Sequence, residues 1–201
     1  MSNFWGNPTV EPKRSYRWVV NVPGLDNATW YATKVSKPNF SVSESEHTFL
    51  NHKFYYPGRV EWETVSLTLV DPVTPDATDQ LMRLLGITTA KAERGSSTGG
   101  EMGYRYPDDY ATAVSSVTTK EASTNALGEV IIRQISGGEG GDTTSTIIEE
   151  WTLKRVWVKS VNFGELDYGS EDLINIELEL RYDWAVLNST TSSQIGQTLA
   201  T

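Results

Sequence analysis

The chain has 201 residues, 38% of them hydrophobic, and a formal net charge of -9. That is enough for one domain with a sizeable core, or for one domain plus arms, and the acidic balance argues against gripping nucleic-acid phosphates, which takes clustered Lys and Arg. There are no cysteines, which excludes disulfides, thiolate metal sites and cysteine nucleophiles.

No apolar run approaches the roughly 20 residues of a membrane span. The first residues, Met1 to Pro8, lack the charged and apolar regions of a secretory signal. The expectation is a soluble protein made and used in a cytoplasm. An acidic chain can still lie beside nucleic acid without binding it, because like charges repel and weak contact lets a polymer slide.

Residues 1–14 are polar, with Pro8 and Pro12 as breakers, and are expected to form an arm. Phe4 and Trp5 within it either tuck onto the domain or dock on a neighbouring subunit. Ser15 to Val22 reads as a strand and Ala28 to Val35 as a second. Pro23-Gly24 and Asp26-Asn27 between them are turn formers, so the two are expected to pair as a hairpin. Lys37-Pro38 ends the second strand, since Pro cannot donate to a ladder.

From Ser41 the chain alternates weakly, then becomes aromatic through Phe49, Leu50, Phe54, Tyr55 and Tyr56 before Pro57-Gly58. This is too apolar for an ordinary surface loop. Either the fold or a partner must cover it, and a projecting interface hairpin ending in a Pro-Gly turn is the functional reading. Arg59 to Val70 reads as one long strand whose apolar parity changes, which a bulge near Glu63-Thr64 would reconcile. Asp71-Pro72 stops it. Thr74 is expected to cap a helix with Pro75 at its first position, and Ala77, Leu81, Leu84 and Leu85 then fall at helical spacing.

Residues 87–141 give little periodicity. Gly95 to Gly100 is Gly-rich, Tyr104 to Tyr110 is an aromatic turn, and Ala111 to Ala126 reads as loop or weak helix. Glu129 to Ile135 is a strand, and Gly137 to Asp142 is a loop. Trp151 to Val161 is a strand rich in β-branched and aromatic residues. Ile174, Ile176, Leu178, Leu180, Tyr182 and Trp184 then fall on every second position, with Asn175, Glu177, Glu179, Arg181 and Asp183 between. That is a long strand with one apolar and one charged face. The two are expected to form an antiparallel pair joined by the turn formers of Phe163 to Ser170. Seven or so strands, one helix and no βαβ rhythm predict an antiparallel β-sandwich or barrel with one flanking helix. The domain spans 15–187, with a long loop or insertion over about 88–146 and a mobile tail at 188–201.

Candidate chemistry is sparse. His47 and His52 lie near Glu44 and Glu46. In an extended segment their odd separation faces them apart, so two surface histidines is the plainer reading than a metal site. No Gly-x-Ser-x-Gly elbow or phosphate loop is present. Carboxylate pairs such as Glu61 and Glu63, or Glu177 and Glu179, are what any solvated strand face carries. No constellation supports catalysis, and no cofactor or metal is expected.

Two stretches together resemble the tail-tube proteins of contractile-tailed bacteriophages, within the phage tail tube and Hcp-like tube superfamily. They are Phe49 to Arg59 running into Trp62 to Asp71, and Trp157 to Tyr168 running into Glu177 to Trp184. Asn51, Lys53, Gly58 and the helix from Pro75 follow the family order. So do the Gly164-Glu165-Leu166 turn and the closing Asp183-Trp184. The span 88–146 is longer than a minimal member needs. The resemblance implies a hexameric ring in which each subunit gives strands to a continuous inner β-barrel and the helix packs outside. Rings stack into a tube inside a sheath, between baseplate and tail terminator, with a tape-measure protein in the lumen through which genomic DNA later passes. It implies a virion tail assembled in the host cytoplasm, with no turnover and no membrane insertion. On it Glu44, Glu46, Phe49, Asn51, Lys53 and Tyr55 are expected at ring-to-ring contacts, and Glu177, Glu179 and Asp183 facing the lumen. Rival readings are a tube of a phage-like injection or type VI secretion system, a baseplate tube-initiator, and a carbohydrate-binding β-sandwich using some of the seven tryptophans. Trp18, Trp62 and Trp184 sit on apolar strand faces, where core packing is the commoner role.

Overall fold

The computed structural model describes residues 13–25, 28–85, 119–135, 147–169 and 171–189. The arm before Lys13, the segment 86–118 and the tail after Ser189 lie outside them, with the readings placed there. The described residues form two four-stranded antiparallel sheets and a separate two-stranded hairpin.

The first sheet has the order β1-β6-β7-β10, built from Trp18–Asn21, Val130–Ile135, Ile147–Lys154 and Trp184–Ser189. The second has the order β2-β5-β9-β8, from Ala32–Val35, Val65–Val70, Asn175–Arg181 and Trp157–Asn162. Strand β6 lies within the span 88–146 and pairs with both β1 and β7, so that part of the span belongs to the sheet. Inward side chains of the two sheets meet in one cluster that includes Val20, Val130, Ile132 and Leu153 from the first and Leu67, Leu69, Ile176 and Leu178 from the second.

Registers explain the second sheet. Val65 faces Leu180, Leu67 faces Leu178 and Leu69 faces Ile176, so every buried residue of β5 meets a buried residue of β9. Cross-strand apolar pairs of this kind fix a register, because a slip of one residue would turn the whole set to water.

Helix α2, Ala77–Leu85, closes the core with the four apolar residues its spacing predicts, Ala77, Leu81, Leu84 and Leu85. Its cap differs from expectation. Asp76 Oδ1 accepts from Asp79 N at 3.0 Å, and Asp71 Oδ1 accepts from Ala77 N at 3.2 Å and Thr78 N at 3.4 Å. Two carboxylates satisfy the first-turn donors, where their charge also favours the helix dipole, and Thr74 is not used. Two shorter helical segments join it: α1, Ala28–Tyr31, and α3, Lys120–Leu127.

Three sequence readings are corrected. Strands β1 and β2 do not form a hairpin; they belong to different sheets. The turn formers do reverse the chain, with Leu25 N donating to Val22 O and Gly24 at φ +84°. Leu25 is then buried and α1 carries the chain across to the other sheet. A Cβ on Gly24 would sit 2.9 Å from Leu84 Cδ1, so the turn packs directly on α2.

Second, Arg59 to Val70 is not one bulged strand. It breaks at Glu63-Thr64, where the chain leaves the hairpin and enters the second sheet.

Third, Trp151 to Val161 breaks at Arg155-Val156, and Ile174 to Trp184 breaks at Tyr182-Asp183. Both strands of the expected antiparallel pair pass from one sheet to the other at the same level, β7 pairing with β10 and β8 with β9. Arg155 takes φ 55° there. The inward face switches at this corner. Tyr182 is buried, whereas Trp184 is exposed and Ala185 packs on the core. Trp184 instead lies under the Arg155 guanidinium, 5.3 Å from the ring centroid, a cation–π contact. Trp18 and Trp62 do pack against the core.

Leu178 is the test of this core. Leu178→Ala is expected to destabilise the chain by about 2–5 kcal/mol, because the cavity between β5 and β9 cannot collapse onto a sheet. Urea unfolding should show a lower midpoint at unchanged slope; an unshifted midpoint would mean that the sheets do not share this core.

Candidate interface: a projecting hairpin

Strands β3, Phe40–Phe49, and β4, His52–Trp62, pair only with each other. All of β3 is exposed, and so is β4 up to its last residue. At about 3.3 Å per residue, ten residues carry the tip roughly 30 Å from the body.

The reversal is at Leu50-Asn51, not at Pro57-Gly58. Phe49 and His52 are the last facing pair. Leu50 takes φ 55° with its side chain 84% exposed. A bulky apolar residue in the left-handed region costs about 1–2 kcal/mol, and none of the described residues offsets it by burying Leu50. Such strain on an exposed tip points to a role outside the fold.

Pro57 and Gly58 lie inside β4, where the register slips. Val42 faces Val60 while Glu44 faces Pro57, so β4 carries one extra residue opposite Ser43. Ser43 Oγ accepts from Arg59 N at 2.8 Å. A Cβ on Gly58 would lie 2.8 Å from Ser43 O, so glycine is required where the bulge brings the backbones together.

Facing residues share a side of the ribbon, and the register sorts the candidate contacts. Glu44, Glu46, Lys53 and Tyr55 lie on one side, Phe49 lies on the other, and Asn51 is in the turn. Lys53 pairs with Glu46 at 2.9 Å. The Phe49 side also holds His47, His52, Phe54 and Tyr56. The two histidines share a side because the turn falls between them, contrary to the extended-chain expectation. His52 stands edge-on to Phe54 with centroids 4.7 Å apart. Among the described residues no group of three or more His, Asp or Glu side chains could hold a metal ion.

Eight large apolar side chains are exposed on this hairpin: Phe40, Val42, Phe49, Leu50, Phe54, Tyr55, Tyr56 and Val60. Both sides of the ribbon therefore carry exposed apolar side chains. A monomer gains nothing from such a surface, and an interface does.

The hairpin base is fixed. Phe40 meets Trp62 at 5.4 Å and Trp62 meets Tyr182 at 5.8 Å between ring centroids. Burial pushes the Tyr182 phenol up to about 12. Glu63 N donates to Asn39 O at 2.9 Å. Lys37, in the linker entering β3, donates to Glu149 Oε1 at 2.8 Å. Glu149 is buried on β7, where Lys13 and, at 2.5 Å, Trp151 Nε1 also donate to it. Sequence reading missed Glu149, although it falls on the same alternate positions of β7 as Trp151 and Leu153, because its cationic partners are remote in sequence.

The acids expected at a lumen stand as follows. Glu177 is exposed on β9. Glu179 is bound by Lys159 at 2.9 Å, Thr64 at 2.7 Å and Ser160 at 3.0 Å. These hydrogen bonds, Lys159 first, hold its carboxyl down to about 2. Asp183 sits at the corner, 2.7 Å from Lys120 and 3.6 Å from Arg155.

No family model matches the chain, and no curated protein matches its sequence. Solved structures do. A chain of the anti-feeding prophage baseplate, a six-fold symmetrised assembly, superposes with a TM-score of 0.56 at 17% identity, over 90% of this chain and 97% of that one. A chain of that system's tube-terminating cap gives 0.56 at 12% identity, over 90% and 93%. A chain of the PVC extracellular contractile injection system sheath-tube complex gives 0.51 at 16% identity, over 90% and 95%. The chain shares the fold of these three chains. At these identities the likeness is one of architecture, here carrying a long hairpin on a two-sheet body.

Glu149 anchors the two-sheet body to the hairpin linker. Burial raises its pKa, but the hydrogen bonds from Lys13, Lys37 and Trp151 outweigh burial and hold it down to about 2 against an ordinary 4.5. The folded value is the lower one, so unfolding takes up protons. The stabilisation, on the order of 3 kcal/mol, is present above the ordinary value and drains away as pH falls toward 2. Glu149→Gln should therefore lower urea stability at neutral pH, with the gap to the parent closing in acid. A gap of constant size across that range would show that the charge is not what counts.

Proposed function

We propose that this chain is a structural tube subunit of a contractile tail, with no catalytic turnover. Hexameric rings stack into a tube whose lumen conducts the genome. The observation that carries this is the Phe40–Trp62 hairpin, which carries exposed apolar side chains on both sides and is covered by none of the described residues. The fold shared with the three chains above supports it. So does the net charge of -9, since an acidic wall repels phosphates and lets DNA pass without sticking. In this reading Glu44, Glu46, Phe49, Asn51, Lys53 and Tyr55 make ring-to-ring contacts, and Glu177, Glu179 and Asp183 face the channel. Sheath, tape-measure, baseplate and terminator proteins are the partners, and the assembled site is a virion tail built in a host cytoplasm.

A second reading, the tube or a baseplate component of an extracellular injection device, is favoured by one finding. The three structural neighbours described above come from such devices. The assembly physics is the same, with a protein cargo replacing DNA.

Negative-stain electron microscopy of the purified chain across concentrations tests the reading. Rings or tubes with a central channel are expected. The double variant Phe49→Asp and Tyr55→Asp changes one residue on each side of the hairpin. It should stay soluble and folded, because neither side chain packs in the body, yet form no tubes. Tubes of normal appearance from that variant would remove the hairpin from the interface.

A further inference from the structure

We propose that a cleft at the hairpin root binds a neutral saccharide. The cleft is a different surface from the hairpin tip, and its role does not depend on the tube reading.

The cleft lies where the end of β4, the start of α3 and the corner between the sheets meet, and its volume is about 810 Å³, within the range of small-molecule sites. Topology brings the walls together. Trp157, the first residue of β8, faces Arg181, the last of β9, and Tyr182 and Asp183 follow in the corner. Trp62, the last residue of β4, packs on Tyr182. Lys120 holds the start of α3 to the same corner through Asp183.

This lining contains groups that the fold leaves unused. Trp157 is half-buried, yet it does not pack on the core cluster and meets no other ring among the described residues. Its neighbour Val158 is buried, so alternation turns Trp157 away from the core. The Tyr182 hydroxyl is buried and makes no hydrogen bond among the described residues; the Asn39 backbone acts on it only weakly. A buried hydroxyl in that condition calls for a water or a ligand group. Arg181 has no carboxylate partner among the described residues, and Glu61, exposed at the rim, has no cation.

Charge and shape select the ligand class. The charged side chains of the lining are Lys120, Arg181, Glu61 and Asp183, two of each sign. Lys120 and Asp183 satisfy each other at 2.7 Å, which leaves one guanidinium and one carboxylate. A simple anion or cation would leave one of the two unmatched. Sugar hydroxyls match both, accepting from the guanidinium fork and donating to the carboxylate. A zwitterion would match the charges as well. The ligand must besides bring a hydroxyl to Tyr182 and a flat apolar face to Trp157. A pyranose combines these, since its axial C–H groups form a face that lies on an indole ring.

The test applies the full chain to an array of immobilised neutral, sialylated and sulfated glycans, then titrates a bound glycan in free form by calorimetry. At least one neutral glycan is expected to bind. Trp157→Ala, Glu61→Gln and Tyr182→Phe should each weaken it by about tenfold or more. Glu61→Gln changes an exposed residue, and Tyr182→Phe removes a hydroxyl that has no partner, so both should keep the parent's urea midpoint. That split between binding and stability is what a merely structural role would not give. Binding of charged glycans alone, or of none, overturns the proposal. A neutral glycan held equally well by the parent, Glu61→Gln and Tyr182→Phe sits elsewhere and overturns it too. Tube formation is read separately in micrographs of the same protein, so the two readings fail independently.

Discussion

The antiparallel ribbon made by β7–β8 and β9–β10 passes from one sheet to the other at a single corner, and polar contacts hold that corner. Arg155 adopts a left-handed backbone, Asp183 N donates to Lys154 O at 3.1 Å, and the Asp183 carboxylate binds Lys120 and Arg155. Two strands cannot bend together unless their spare donors and acceptors find partners. Lys120 opens α3, so the same carboxylate ties that helix to the bend. Once the ribbon turns, its halves lie in facing sheets and the alternating apolar sets of β5 and β9 have something to pack against. The corner also resets which residues face inward. Side chains that continue the pattern of β9 past Tyr182 are thereby delivered to the surface.

The hairpin obeys different physics. A two-stranded ribbon with no third strand is marginal in water, and this one sets eight large apolar side chains in solvent. It also presents a free edge on each side, a form natural proteins guard against unless pairing is the purpose. What it does have is a rigid root. Trp62 packs between Phe40 and Tyr182, and Lys37 is tied to Glu149, a carboxylate buried in the other sheet. Ordering the root in advance lowers the conformational entropy that docking must remove. The Ser43–Gly58 bulge adds local twist and so sets where the tip is aimed.

Much of this was legible from residue order. The period-two run of β9, the 3.6-period apolar set of α2 and the excess of aromatics from Phe49 to Tyr56 each reflect a local rule with one dominant cause. The failures share a different cause. Pro23-Gly24 announces a reversal but not which sheet receives the chain. Pro57-Gly58 looks like a turn because Gly is also what a bulge needs. His47 and His52 look opposed until a turn falls between them. The break at Asp183 is hidden because alternation continues through it in sequence while the inward face switches in space. Glu149 shares the alternation of Trp151 and Leu153, but nothing local records the cations that hold it, since Lys13 and Lys37 lie 136 and 112 residues away. Partner choice and long-range ionic contacts are tertiary facts, and period and propensity carry no record of them.

Acidity and self-association pull against each other in a chain of net charge -9, and burial of exposed apolar area is what can outweigh the repulsion. Glu149, Glu179 and Asp183 are bound by cations of the same chain, so these three carboxylates are compensated locally. On the hairpin Lys53 and Arg59 are matched by Glu44 and Glu46, with Lys53 paired to Glu46, so its exposed apolar side chains, and not a charge excess, distinguish that surface. A single exposed ionic contact, screened by salt, is weak. In the proposed stack such contacts would act together, each formed contact raising the effective concentration for the next.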